Sequence, residues 1–150
     1  MEKEPSRIET LKEKVEQRRI AIDIFGEKAG EVIFLDSITS KTKLLKSDEM
    51  AYKNIKMKFK RDNNELDEAR RKFDLMVYDF LNSHPYEISF FVFGKNAYEL
   101  TVPASLFLNF YGSIKKTINQ NDIIIHTKCL SSGLCLLFDE HYISISQWHK

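Results

Sequence analysis

The segment 87–102 constrains the fold more than any other part of the chain. Glu87–Phe93 and 97–102 are dense in aromatic and aliphatic residues, and only Gly94-Lys95-Asn96 separates them. Two such runs around a short glycine-containing loop predict a β-hairpin. The loop sets a register in which Ile88 faces Val102, Phe90 faces Leu100 and Val92 faces Tyr98. One face of the ribbon is then wholly apolar, and a slip of one residue would destroy that pattern. A lone hairpin is marginal in water, so further strands or helices must cover it.

The rest of the sequence offers them. Segments 123–130, 134–138 and 142–147 read as a three-strand meander, turned at Ser131-Ser132-Gly133 and at Asp139-Glu140-His141. Over 54–61, Ile55, Met57 and Phe59 alternate with Lys56, Lys58 and Lys60, the period of a strand with one buried face and one charged face. Residues 31–38 hold the run Val32-Ile33-Phe34-Leu35, which reads as a short buried strand. Helices are expected over 5–25, over 65–83 and over 103–119. The second follows the stop at Asp62-Asn63-Asn64 and ends at His84-Pro85, because a residue before proline avoids the helical region. Segment 39–51 is polar and lysine-rich and reads as a loop or short helix. Most neighbouring strands are joined by turns too short for crossover helices. The expected class is therefore α+β: a mainly antiparallel sheet with an N-terminal helix, a central helix (about 65–83) and a helix inserted between the hairpin and the meander.

With 150 residues the chain is the size of one α+β domain over 1–150, with a subdivision at 1–84 (helix-rich, with a basic strand) and 85–150 (β-rich) as the alternative. No apolar run approaches the roughly 20 residues of a membrane span, and the start has no signal-peptide core. Two cysteines do not make a secreted disulfide framework. These features favour a cytoplasmic setting with no membrane contact.

Catalytic and cofactor signatures are missing. No serine sits in a Gly-x-Ser-x-Gly elbow. Around Gly94-Lys95, Ser89 and Asn96 stand where a phosphate loop needs glycine and serine or threonine. His126, Cys129, Cys135 and His141 are zinc-binding types, but the expected strands set Cys129 across from Cys135 and turn His126 to the other face. They read as two small buried hydrophobes and a surface histidine, with a cross-strand disulfide as the oxidising alternative. Glu87 and Glu99 read as solvent-facing strand residues. No catalytic residue, metal ligand or cofactor is assigned.

Charge and aromatics supply the interface candidates. The net charge of +1 conceals a segment, 41–72, with 11 basic and 6 acidic residues, between two segments of net −2. Lys53, Lys56, Lys58, Lys60 and Arg61 line the alternating strand, and Arg70, Arg71 and Lys72 on the next helix extend the set. Such a row suits a polyanion or an acidic partner; on a sheet edge it also blocks aggregation. Phe91 and Phe93 lie opposite the apolar hairpin face and are candidate interface aromatics unless a helix covers them. In the first helix Ile8, Leu11, Val15 and Ile22 approximate a heptad seam. Packing on the sheet is its expected use, with dimerisation as the alternative. The functional expectation is a small, non-enzymatic binding or regulatory protein of inhibitor, immunity or host-modulating type, acting on a protein partner. The alternatives are nucleic-acid binding through 53–61, and an enzyme in which His126 or His141 meets a carboxylate in a pocket.

Overall fold

The structure, a computed structural model, describes residues 6–118 and 122–149. Seven strands, β1 (Ile33–Phe34), β2 (Ile55–Lys60), β3 (Glu87–Phe93), β4 (Ala97–Pro103), β5 (Ile123–His126), β6 (Ser132–Phe138) and β7 (Tyr142–His149), form one sheet. Its order is β1-β4-β3-β5-β6-β7-β2, and every pairing is antiparallel. Five α-helices accompany it: α1 (Arg7–Phe25), α2 (Ser37–Lys53), α3 (Asn63–Ser83), α4 (Ala104–Asn109) and α5 (Tyr111–Ile118). The α+β class with an N-terminal helix is the observed one.

The hairpin register is the expected one: Ile88 pairs with Val102, Phe90 with Leu100 and Val92 with Tyr98. The strand β2 alternates half-buried and exposed residues and closes one edge of the sheet against β7, with Met57 opposite Ile145 and Phe59 opposite Ile143. Capping explains two helix starts. The Asp62 side chain accepts from Glu65 N at 2.9 Å, and Ser6 and Glu9 form a reciprocal capping box.

Both faces of the sheet are covered, because α3, α4, α5 and the end of α1 pack on one and α2 on the other. The larger core joins Phe73, Val77 and Phe80 of α3 to Phe90, Leu100, Ile125, Leu136 and Ile145, with Phe25 of α1 edge-on to Phe90 and Phe110. The smaller core, under α2, contains Ala51, Phe91, Ile124, Cys135, Leu137 and Trp148.

Four expectations change. Segment 39–51, expected as a loop or short helix, is most of the 17-residue helix α2, capped by Asp36. Its buried positions are Ser40, Ser47 and Ala51, so it carries no apolar periodicity to read. The strand expected at 31–38 shrinks to two residues, and Ile33 is 61% exposed. The helix expected over 103–119 breaks at Phe110 into α4 and α5, and its last residue lies outside the described range. The first meander strand stops at His126. A tight turn follows, with Cys129 and Leu130 both at positive φ, so Cys135 pairs with Ile124 rather than with Cys129. Cys129 is exposed and Cys135 buried, which removes the cross-strand disulfide.

Candidate functional site

The basic residues singled out from the sequence do not share one surface. Lys56, Lys58 and Lys60 alternate with the core residues Met57 and Phe59, so they project on the α2 side of the sheet. Arg70, Arg71 and Lys72 ride on α3, on the opposite side. Several are occupied. Lys53 pairs with Glu49 at 2.9 Å, Arg71 and Lys72 share Glu68, and Arg61 Nη1 donates to the Asp139 carbonyl at 2.5 Å. Lys58 Nζ stands 4.5 Å from the centre of the Tyr142 ring, a cation–π contact. Among the described residues Lys56, Lys60 and Arg70 make no ion pair. Acidic groups lie close to the α2 end of this surface. Burial, then the charge of Asp122, raises the Asp48 carboxyl above its usual value. Burial and a hydrogen bond to Asp139 push Tyr52 up to about 12.

Phe91 is not an interface aromatic: it has no exposed surface, because α2 covers that face of the hairpin. Phe93 is half-buried and lines a groove between α1 and the β3–β4 turn.

Glu99 and His126 also reverse their expected roles, being 1% and 0% exposed. On adjacent positions of the β4-β3-β5 ribbon, Glu99 lies opposite Phe91 and His126 opposite Ser89. The Glu99 carboxylate meets His126 Nε2 across the intervening strand and accepts from Lys43 Nζ of α2 at 3.2 Å. His126 Nδ1 lies 2.7 Å from the Thr127 carbonyl. Burial drives the Glu99 carboxyl up, but the hydrogen bond and charge of His126, with Lys43, outweigh it and leave the pKa lowered. The Glu99 backbone N–H donates to Ser40 Oγ at 2.9 Å, so the same residue fastens α2 twice. A histidine does meet a carboxylate, as an acid–base site needs. Yet both are sealed under α2, and general acid–base chemistry requires reach to a substrate proton. His141, by contrast, is exposed beside Glu140 in the β6–β7 turn. Among the described residues no group of three or more His, Cys, Asp or Glu side chains could hold a metal.

The least expected surface is on α1. The stripe Ile8, Leu11, Val15 and Ile22 does not pack on the sheet; these residues are 66%, 55%, 70% and 49% exposed. The buried side of the helix is Ala21, Ile24 and Phe25 at its C-terminal end. Its N-terminal two thirds dock instead through polar contacts. Glu13 Oε1 accepts from Ser37 N at 2.9 Å, Gln17 Nε2 donates to the Leu35 carbonyl at 3.1 Å, and Tyr98 donates to Glu16 at 3.0 Å. The helix therefore has two apolar stripes on opposite sides, and the longer one faces solvent. Ile8, Leu11, Lys12 and Val15 line a shallow apolar hollow there.

The chain matches no protein-family model, and no curated protein or solved structure is significantly similar to it. Among the described residues no helix is long and apolar enough to cross a membrane.

Proposed function

We propose that the chain is a non-enzymatic binding protein whose partner docks on the outward stripe of α1. A single observation carries this reading: four aliphatic side chains at heptad-like spacing stand 49–70% exposed on a helix anchored by its other side. Scattered exposed hydrophobes are ordinary, but an aligned set of them marks an interaction surface. The sealing of the Glu99–His126 pair supports a non-catalytic role, and an inhibitor or immunity type of action suits such a module. A cytoplasmic setting accords with the free thiol of exposed Cys129.

The test is affinity capture from native lysate with three baits: the wild type, L11E/V15E, and K56E/K58E. The expected result is a protein partner that survives nuclease treatment and the lysine exchanges but is lost with L11E/V15E. The alternative, nucleic acid on the lysine face of β2, is favoured by Lys56 and Lys60, which make no ion pair among the described residues; it predicts loss with nuclease and with K56E/K58E.

A further inference from the structure

Resting on that reading, we infer which class of partner the stripe takes: an acidic amphipathic helix of another protein, and not a second copy of this chain. Ile8, Leu11, Val15 and Ile22 fall within an arc of about 60° on the helix surface. That is the narrow a/d seam of a helix pair, with β-branched residues at three a positions and leucine at a d position. A helix lying in a lipid surface has a broader apolar face and aromatic residues along it, and this stripe has neither.

The flanks of the seam choose the partner. With Ile8 and Val15 at a, the g positions are Arg7 and Lys14 and the e positions are Lys12 and Arg19. Arg18 takes the second d position. All five are exposed, and none makes an ion pair among the described residues. The acidic residues of the helix are turned elsewhere: Glu9 closes the capping box, and Glu13 and Glu16 face the body of the protein. Glu9 and Asp23 are the exposed acidic residues of the helix, and neither occupies an e or g position of the seam. Were two copies to pair in parallel, Arg7 would oppose Lys12 and Lys14 would oppose Arg19. An antiparallel pair would set Arg7 against Lys14 and Lys12 against Arg19. Both arrangements oppose like charges at every e and g contact, which selects against self-pairing. A partner helix with Glu or Asp at e and g turns each of these contacts into an attraction. The groove beside the seam is lined in part by Lys12, Arg19 and Lys95 with Val15 and Phe93, and its one acidic residue, Glu16, accepts from Tyr98.

The experiment uses the full chain and two labelled synthetic helices of about three heptads. Both carry leucine at a and d; one has Glu and the other Lys at all e and g positions. Fluorescence anisotropy is expected to show binding of the Glu helix, weakened by salt, and none of the Lys helix. L11E/V15E is expected to weaken binding about tenfold or more while leaving the circular dichroism unchanged, because both side chains already face solvent. Sedimentation is expected to show a monomer. Equal binding of both helices, or binding indifferent to L11E/V15E, overturns the proposal. So does a dimer that V15E dissociates, which would make the occupant a second copy. Binding of α1 to vesicles of mixed neutral and anionic lipid, with no binding to the Glu helix, overturns it in favour of a membrane surface. If the Glu helix fails while L11E/V15E still abolishes capture of a cellular partner, the partner class falls and the interface stands. If neither depends on the stripe, both fall.

Discussion

Gly133 has no room for a side chain: a Cβ there would lie 2.1 Å from Trp148 Cζ2, so the indole rests directly on the backbone of β6. Trp148 Nε1 in turn donates to the Leu130 carbonyl at 2.9 Å, tying the positive-φ turn to the sheet. Gly133→Ala is therefore expected to destabilise the chain by about 1–3 kcal/mol through overpacking. Because Trp148 is the only tryptophan, denaturant titration followed by its fluorescence reads the effect directly. Glu99 is the other residue with a large expected effect. Exchange for glutamine removes the charge and leaves one acceptor oxygen where His126 and Lys43 used two, and breaking a buried pair costs about 3–5 kcal/mol. Glu99→Gln is expected to show that loss at pH 7 in thermal melts. The pH dependence follows from the lowered pKa. The stabilisation is present above the unfolded carboxyl value of about 4.3 and is lost as pH falls through the folded value. The variant should lack that acid-limb loss.

At the scale of elements, what was legible in the sequence depended on whether apolar periodicity reported the packing. It did for the hairpin, for β2 and for α3, where Leu66, Ala69, Phe73, Met76, Val77 and Phe80 recur at helical spacing and all pack on the core. It did not for α2, whose buried positions include Ser40 and Ser47 on a sheet face that mixes apolar residues with Glu99 and His126. The cap at Asp36 and Thr39 was the available signal for that helix. Nor could spacing show that β3 pairs with β5, the link that brings His126 to Glu99. On α1 periodicity was present but ambiguous: of two apolar stripes, the longer one faces outward. The basic candidates at 53–61 and 70–72 were adjacent in sequence, yet the strand pleat and the following helix put them on opposite sides of the sheet. Since the N-terminal part of α1 is held by hydrogen bonds rather than by core, it should open locally more readily than α3. Hydrogen exchange is expected to be faster in 7–18 than in 66–81. Ser6→Ala, which removes the capping box, should raise it further, at a cost of about 1 kcal/mol.

At the scale of the whole molecule, the sheet has two open edges and treats them differently. One is closed off by a two-residue strand, β1. The other, β2, carries Lys56, Lys58 and Lys60 on its exposed face. Charged edges resist strand-to-strand association. Replacing these three lysines by valine is expected to produce concentration-dependent self-association in sedimentation, without loss of the α1 interaction. On the proposed reading the lysines keep the edge unpaired and α1, at the other end of the structure, takes the partner. Site-specific photo-crosslinking in cells tests that division most directly, with a photoreactive residue placed at Val15 or, in a separate protein, at Lys58. The account predicts a discrete crosslinked protein partner from position 15 and none from position 58. Crosslinks from position 58 alone, or to nucleic acid, would contradict it.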